Sequence, residues 1–539
     1  MKRDLIVKSS ARAVLALLAI ALLRPDPGVA QSVAESVVLA PSTMPRIGSV
    51  SERYQSYNVE MVEVTGGRFW KPYGAEPDRS LQQPAPAAGA QGADAPAGMN
   101  ADLYQYRPPI DLDNARLRKL AAALGPAYVR VSGTWANTTY FSATDQPPGA
   151  PPAGFKGVLS RAQWQGVVDF ARAVNAQIVA SFATGAGTRD AAGVWTAEQA
   201  ARLVDYTSAV GGRIAAAEFM NEPNLAVMGG APAGYDAAAY GRDFQRFHAF
   251  ARAAAPDMLI LGPGSVGETA DESGPADGSS LATRNLLTAS RSAAVDAVSY
   301  HHYGALSRRC AAMGAQTTAD AALSEEWLGR TDATLAYYRK LRDAFAPGKP
   351  LWLTETADAA CGGNPSARTF LDTFRYLDQL GRLARQGVAV VAHNTLVASD
   401  YGLLDDVTLT PKPNYWGALL WRKLMDAQVL EPGVPIQSGL HLYAHCLRGT
   451  AGGVALLAIN NDRAAARVLT VPMPGERYTL SSDDLQGKAV RLNGVELKLG
   501  ADDALPDLTG APVQAGNISL DPATITFIAL PGAGNQACL

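Results

Sequence analysis

From about residue 60 to residue 425, short apolar runs alternate with longer stretches in which apolar residues recur every three or four positions. The runs "VEMVEVTG" (59–66), "AYVRVSG" (127–133), "QIVASFAT" (177–184) and "AAAEFMNEP" (215–223) predict strands, as do "MLILGPG" (258–264), "DAVSYHHY" (296–303), "PLWLTET" (350–356) and "VAVVAHNTL" (388–396). Between them, stretches such as "LDNARLRKLAAAL", "QWQGVVDFARAV", "YGRDFQRFHAFARAA" and "ATLAYYRKLRDAF" predict amphipathic helices. Eight strands, each followed by a helix, predict an α/β fold, a closed (β/α)8 TIM barrel over 59–425. A doubly wound open sheet is the alternative, but it would carry a Gly-rich phosphate loop after an early strand, and none is present.

After "YWGALLWRKLM" (415–425) the period changes. Runs such as "HLYAHCLRG", "GGVALLAINND" and "ATITFIALP", with turn residues between them, predict a C-terminal all-β sandwich domain over 426–539. The segment 31–58 is too short to fold alone and is expected to add a strand to that domain. A low-complexity insert at 74–100, containing "QQPAPAAGAQGADAPAG", interrupts the first strand–helix connection and cannot bury a core. Residues 1–30 have the form of a signal peptide: Lys2, Arg3, Lys8 and Arg12, then an apolar stretch too short to span a bilayer comfortably, then small residues near Ala30. The expectation is a secreted or periplasmic protein with no stable membrane insertion after signal cleavage; an uncleaved anchor is the alternative.

Composition narrows the partners. The chain is 47% hydrophobic and 18% charged, with a net charge of −3, so it lacks the basic footprint of a nucleic-acid binder. An anionic glycan is not excluded, because a few cations in a cleft suffice. Four cysteines in an exported chain suggest two disulfides, and no CxxC or HxxxH-like pair supports a metal site; no cofactor is expected.

Barrel active sites lie at the C-terminal ends of the strands. There, "MNEP" ends the fourth predicted strand, "SYHHY" the sixth and "LTET" the seventh. Strand alternation would put Glu218, Met220 and Glu222 on one face, with Glu222 at the rim and Glu218 deeper. Glu222 and Glu355 on opposite rims of one mouth are the groups glycoside hydrolysis needs: one protonated to assist the leaving oxygen, one ionised to attack the anomeric carbon. Arg130, on the second strand, is expected to point inward and neutralise Glu355 or Glu218.

These residues carry a family resemblance. The chain resembles the heparanase-like β-glucuronidases, retaining TIM-barrel glycosidases with glutamates on strands four and seven. The resemblance rests on "LRKLAAALGPAYVRVSGTWANTTYF", "EFMNEPN", "DAVSYHHY", "LWLTETADAACGGNP", "YGLLDDVTLTPKPNYWGALLWRKLM" and the terminal "ATITFIALPGAGNQACL". It implies that Glu222 is the acid/base, Glu355 the nucleophile, and Asn221 the partner of the sugar 2-hydroxyl. Tyr303, with His301 on the same strand face, would approach Glu355. The backbone of Gly362 and Gly363, with Tyr401, would recognise a glucuronate carboxylate, and Thr134 and Trp135 would contact sugar rings. Cys446 and Cys538 match a family disulfide, and Cys310 with Cys361 is expected to form a second.

Three departures from the family pattern bear on substrate. The first strand reads "VTGGRFW", with Thr65 or Gly66 where an acid is expected; the nucleophile loop has Ala360 and Cys361 before its glycines; His393 stands in place of a glutamine in the sugar-binding set. The implied substrate is a glucuronate-containing oligo- or polysaccharide, with heparan sulfate-like chains favoured. Hyaluronan cleavage and exo-action on plant or microbial glycosides are alternatives, and a catalytically dead glycan-binding module is a further one. Arg68, Lys71, Arg308 and Arg309 are the candidate cations near the mouth, and a monomer is expected.

Overall fold

The computed structural model describes residues 36–74, 100–268, 281–314 and 316–539. The predicted signal peptide and nearly all of the low-complexity insert lie outside the described residues. Eight parallel strands close a barrel: β1 (Gln55–Glu60), β2 (Ala127–Ser132), β3 (Ala176–Ser181), β4 (Ile214–Glu218), β5 (Leu259–Val266), β6 (Ala297–Leu306), β7 (Leu351–Ala360) and β8 (Val388–His393). Each strand pairs with the next, and β8 closes on β1, with His393 opposite Tyr57. Each is followed by a helix: α1 (Ala115–Ala123), α2 (Arg161–Ala173), α3 (Glu198–Ala209), α4 (Ala237–Ala254), α5 (Thr283–Ala289), α6 (Arg330–Phe345), α7 (Phe370–Arg385) and α8 (Pro413–Leu424). The α2 start shows why a helix begins there. Ser160 Oγ accepts from the Gln163 N–H while the Gln163 side chain accepts from the Ser160 N–H, a reciprocal capping box.

The two-residue period along the strands layers the barrel interior. Val179, Ala216, Leu261, Ala297, Trp352 and Val390 pack as an apolar floor. Two positions further along β3 and β4 the same face presents Ser181 and Glu218, and β6 presents Ser299, then His301 and Tyr303. The polar layer is therefore lifted off the floor by alternation alone.

Three predicted strands are corrected. The first runs over 55–60 rather than 59–66, and Met61–Thr65 is a short helix. Residues 55–58 thus belong to the barrel, not to the N-terminal segment. The apolar run "MVEV" outweighs the "QSYNVE" before it in hydrophobicity, but all six residues of β1 are buried between helices and barrel interior, polar ones included. The fourth strand ends at Glu218 and the eighth at His393, each short of its predicted end.

The C-terminal region is a β sandwich. Its large sheet runs from Arg46–Ser49 through β9 (Met425–Leu430), β10 (His441–Leu447), β11 (Val454–Asn460), β15 (Thr524–Leu530) and β13 (Gly475–Ser481) to short strands at 491–492 and 495–496. A smaller sheet joins Val37–Val38, β12 (Arg467–Val471) and β14 (Gly516–Leu520). Leu442, Ala444, Leu456 and Ile528 face the small sheet's Leu469 and Ile518, while the alternate residues Tyr443, Leu457 and Phe527 join the core shared with the barrel helices. Helix α7 lies between barrel and sheet and is buried on every face, with the Tyr443 ring against Gly381, where a Cβ would meet it at 2.4 Å.

One buried charge cluster clasps the sheet to the barrel. His441 places Nδ1 2.5 Å from Asp378 of α7 and Nε2 2.7 Å from Glu325, and Tyr443 donates to Asp378. Arg382 bonds the same Asp378. Burial opposes the imidazolium, but the two carboxylates prevail and push His441 up from 6.5 to about 9. A group whose pKa is raised on folding contributes stability that is complete below its unfolded value and lost as pH rises through the folded one. Thermal stability of the wild type should therefore fall between pH 6.5 and 9. His441→Gln should cost on the order of 3–5 kcal/mol near neutral pH and flatten that slope. Denaturation curves for both proteins across this pH range measure it, and equal slopes would refute the clasp.

Candidate active site

The mouth is organised around Arg130, at the fourth position of β2 and 1% exposed. Its Nε and Nη2 both donate to Glu218 Oε2, at 3.0 and 2.8 Å, and its Nη1 donates to Glu355 Oε2 at 2.8 Å. Nη2 also reaches Asn221 Oδ1 at 2.9 Å and His301 Nε2 at 3.1 Å. Arg130 thus neutralises both glutamates that the sequence offered as alternatives. Glu218 is wholly buried, with its other oxygen accepting from Thr354, and belongs to the base of the site. Burial works against its charge, but Arg130, His301 and the Thr354 hydroxyl hold its pKa below the usual range.

Glu222 is reached differently from the way strand alternation predicts. Past the end of β4 the chain turns, and Glu222 takes a left-handed conformation (φ 48°, ψ 61°) immediately before Pro223. A non-glycine residue adopts that backbone only where its surroundings enforce it. Asn137 supplies the enforcement: its side-chain amide accepts from the Asn221 N–H at 2.9 Å and donates to the Asn221 carbonyl at 3.0 Å. Because a guanidinium can only donate, Arg130 assigns Oδ1 of the Asn221 side chain to itself and turns the amide nitrogen away.

Glu355, on β7 directly beside His301 of β6, accepts from the Tyr303 hydroxyl at 2.6 Å on Oε1 and from Arg130 on Oε2. Glu222 Oε1 lies 3.0 Å from His301 Nδ1. Ligand-type atoms of Glu222, His301 and Glu355 fall within 4.8 Å of one another. Such a trio can hold a cation, but here both Glu355 oxygens already accept hydrogen bonds and His301 is engaged at both ring nitrogens.

The two carboxyls are biased in opposite directions. Burial raises the pKa of Glu222, helped by the Glu355 charge and only partly offset by His301. For Glu355, burial is outweighed by His301, Arg130 and the Tyr303 hydroxyl, so its pKa is lowered. One acid is pushed toward the protonated form and its neighbour toward the ionised form, which is the asymmetry that carboxylate-pair chemistry uses.

Two residues that the sequence reading missed sit beside them. Glu60 ends β1, so the acid that seemed absent from the first strand is present once the strand is placed correctly. Burial, then the charges of Glu355 and Glu63, push its pKa well up, and Asn394 Nδ2 donates to its Oε1 at 3.2 Å. Asn394, one residue past β8, also reaches the hydroxyls of Tyr303 and Tyr401. The preceding His393, assigned to sugar binding from sequence, is instead 1% exposed, with Nε2 on the Tyr401 carbonyl, and burial drives its pKa down to about 3. His301, expected to share the face of Tyr303, does stand beside Glu355 but is 0% exposed, enclosed between Arg130 and Glu222. His302 turns away from the mouth to Thr334.

The loop after β7 carries Cys361, Gly362 and Gly363, all at positive φ. A Cβ on Gly362 would meet Trp70 at 2.6 Å, which requires glycine there. Gly363 donates its N–H to the Ala359 carbonyl, whereas the Gly362 N–H has no bond among the described residues. Arg309 lies under the turn, bonding the carbonyls of Cys361 and Gly363 and the Asp400 carboxylate. Cys310 and Cys361 form a disulfide across this loop, and Cys446 and Cys538 form a second in the sandwich. Tyr401 is buried against Tyr303, at 6.5 Å between ring centroids. Thr134 and Trp135, in the turn after β2, line a cavity of about 470 Å³ together with Arg68, Tyr106 and Lys156.

Comparison with known proteins agrees with this architecture. The chain is 28% identical to heparanase of Mus musculus over 489 residues, covering 79% of this chain and 88% of that protein. It is 31% identical to baicalin-beta-D-glucuronidase of Scutellaria baicalensis over 215 residues, covering 37% and 40%. The crystal structure of a 4-O-alpha-L-rhamnosyl-beta-D-glucuronidase from Fusarium oxysporum superposes with a TM-score of 0.60 at 14% identity, over 92% of this chain and 100% of that one, a likeness of fold. Residues 109–381, which span α1 to α7 and hold both glutamates, match the N-terminal domain of glycosyl hydrolase family 79; the chain belongs to that family and is a glycoside hydrolase.

Proposed function

We propose that this protein is an exported, retaining β-glucuronidase that cleaves glucuronic acid-containing glycans, with Glu222 as acid/base and Glu355 as nucleophile. The observation that carries the reading is the pair of oppositely biased carboxyls, one oxygen of each lying within 4.8 Å of one of the other. Retaining glycosidases hold their carboxyls about 5–5.5 Å apart, and inverting ones hold them farther apart to admit a water. In the first step Glu355 attacks the anomeric carbon while Glu222 gives its proton to the departing oxygen. In the second, Glu222 takes a proton from water, which releases the sugar from Glu355. The Asn221 amide nitrogen, turned outward by Arg130, would donate to the sugar 2-hydroxyl, a bond that strengthens as charge develops at the anomeric carbon.

The Gly362 N–H and the Tyr401 hydroxyl are the groups proposed to receive the glucuronate carboxylate, and the cavity beside Trp135 would take the next part of the glycan. The four candidate cations near the mouth are a modest set for a heavily sulfated chain, and two of them are already engaged. Arg309 is buried under the turn, and Arg68 is bonded to the carbonyls of Ala101 and Tyr104. This favours a glucuronide whose recognition rests on its carboxylate rather than on sulfates. Two disulfides, with no helix among the described residues long and apolar enough to cross a membrane, fit an oxidising compartment outside the cytoplasm.

Glu355→Gln should lower kcat on an aryl β-glucuronide by at least about 10³-fold with little change in stability, read by steady-state kinetics and thermal denaturation. Glu222→Gln should lose on the order of 10²–10⁴-fold on substrates with poor leaving groups. Wild-type rates in either variant would end the assignment. The first sugar product, followed by NMR, should keep the β configuration; an α product would contradict retention. Digestion of heparan sulfate, hyaluronan and an aryl β-glucuronide side by side should give the highest kcat/KM on a substrate without sulfate, and strict dependence on sulfate would overturn that preference.

A further inference from the structure

We infer that His301 is a positioning residue for the acid: Arg130 on its Nε2 keeps the ring proton on Nδ1, this N–H occupies Oε1 of Glu222, and the transferable proton is thereby confined to Oε2. The inference rests on the reading of Glu222 as acid/base given above.

The geometry leaves the imidazole few alternatives. His301 is wholly buried, 3.1 Å from Arg130 Nη2 on one side and 3.0 Å from Glu222 Oε1 on the other. A guanidinium never accepts a hydrogen bond, so a proton on Nε2 would be pressed against another donor. A ring hydrogen on Nδ1, by contrast, points at the Glu222 carboxyl and meets an acceptor. Arg130 cannot swing away to relieve this contact, because Glu218, Glu355 and Asn221 hold its other positions. The irregularity in the β6–β7 pairing between Tyr300 and His301 sets the ring at this height, beside Glu355.

Glu222 depends on that single contact. His301 is its side chain's hydrogen-bond partner among the described residues, and the side chain is 14% exposed, against 8% for Glu355. With Oε1 receiving an N–H, a proton on that oxygen would face a donor, so the acid form carries its hydrogen on Oε2, the oxygen free to meet substrate. In the first step the Oε2–H bond breaks, the proton passes to the glycosidic oxygen, and the electron pair of the breaking C–O bond stays with that oxygen. In the second, water gives a proton back to Oε2 as its oxygen bonds to the anomeric carbon and the C–O bond to Glu355 breaks, its electron pair leaving with that carboxylate. The imidazole keeps its own proton throughout, so it orients the acid rather than relaying charge. The reading also explains why a residue on the face shared with Tyr303 has no opening to the cleft.

Leaving-group dependence separates this from a merely structural role. A full-length His301→Phe enzyme should lose about 10²-fold or more in kcat/KM on a glucuronide with an alkyl or sugar leaving group. It should lose less than about tenfold on a 2,4-dinitrophenyl glucuronide, which needs no acid assistance. The basic limb of its pH profile should move to higher pH, because the N–H that favours the Glu222 carboxylate is gone. His301→Asn, whose amide can still donate, should recover part of the loss on the poor leaving group. Equal losses on both substrates with an unmoved basic limb would overturn the inference. If Glu222→Gln itself shows no leaving-group dependence, the acid/base reading fails; if it does and His301→Phe does not, only the role of His301 fails. Should the phenylalanine variant not fold, ¹⁵N NMR of histidine-labelled wild type decides, since the chain has six histidines to assign. A buried ring protonated at Nδ1 supports the inference, and one protonated at Nε2 refutes it.

Discussion

The active site hangs on one buried guanidinium. Four glutamates, Glu60, Glu218, Glu222 and Glu355, crowd the mouth of the barrel, and Arg130 is the permanent cation bonded among them. A single positive charge cannot keep four buried carboxylates ionised, so the site divides them. Glu218 and Glu355, which Arg130 bonds directly, are held in the charged form, while Glu60 and Glu222, which it does not touch, are pushed toward the neutral one. The opposite bias of the carboxyls thus follows in large part from which oxygens a rigid, planar fork can reach, with His301 adding to it at Glu355. The same fork sets the Asn221 amide and touches the His301 ring, so charge and hydrogen-bond direction share one source.

Around that centre the loops are held by polar groups rather than by apolar packing alone. Asn137 fixes the backbone of Asn221 and so the strained residue that follows it. Arg309 lies under the Gly362–Gly363 turn, its guanidinium 3.8 Å from the Tyr73 ring centroid, and the Cys310–Cys361 disulfide joins the loops after β6 and β7. Each device fixes backbone where a side chain could not, which suits a site that must present N–H groups and a left-handed glutamate without relaxing. On the opposite side, α7 gives up a solvent face to carry the sandwich; its Asp378 is tolerated inside because His441, Tyr443 and Arg382 complete its bonding, and Arg382 because Asp378 and Asp332 complete its own.

The expectations that failed did so for local reasons. The first strand was displaced toward "MVEV" because hydrophobicity was read as burial, whereas β1 buries the polar Gln55, Ser56 and Asn58 along with Tyr57 and Val59. That displacement hid Glu60 and produced a departure from the family pattern that the structure does not contain. His393 and Asn394 are adjacent, and the extended run suggested the histidine; the strand stops between them, and the turn sends the asparagine into the mouth. Asn137 carries no sequence signal at all. An asparagine in a polar turn reads as a surface residue until the chain it braces, more than eighty positions later, is brought beside it.

The periodicity of the chain by itself determined the barrel, the sandwich and the positions of Glu222 and Glu355 near strand ends, because alternation and amphipathic spacing are local consequences of burial. The expected order, Glu218 deeper than Glu222, holds, but through a turn past β4 that alternation does not describe. What tertiary structure alone decided is toward which form each carboxyl is biased, which groups flank the two nitrogens of His301, and which neighbours of Glu355 face the cleft. Those properties depend on electrostatic and hydrogen-bond contacts between β2, β4, β6 and β7, and separation along the chain does not encode distances across a closed barrel.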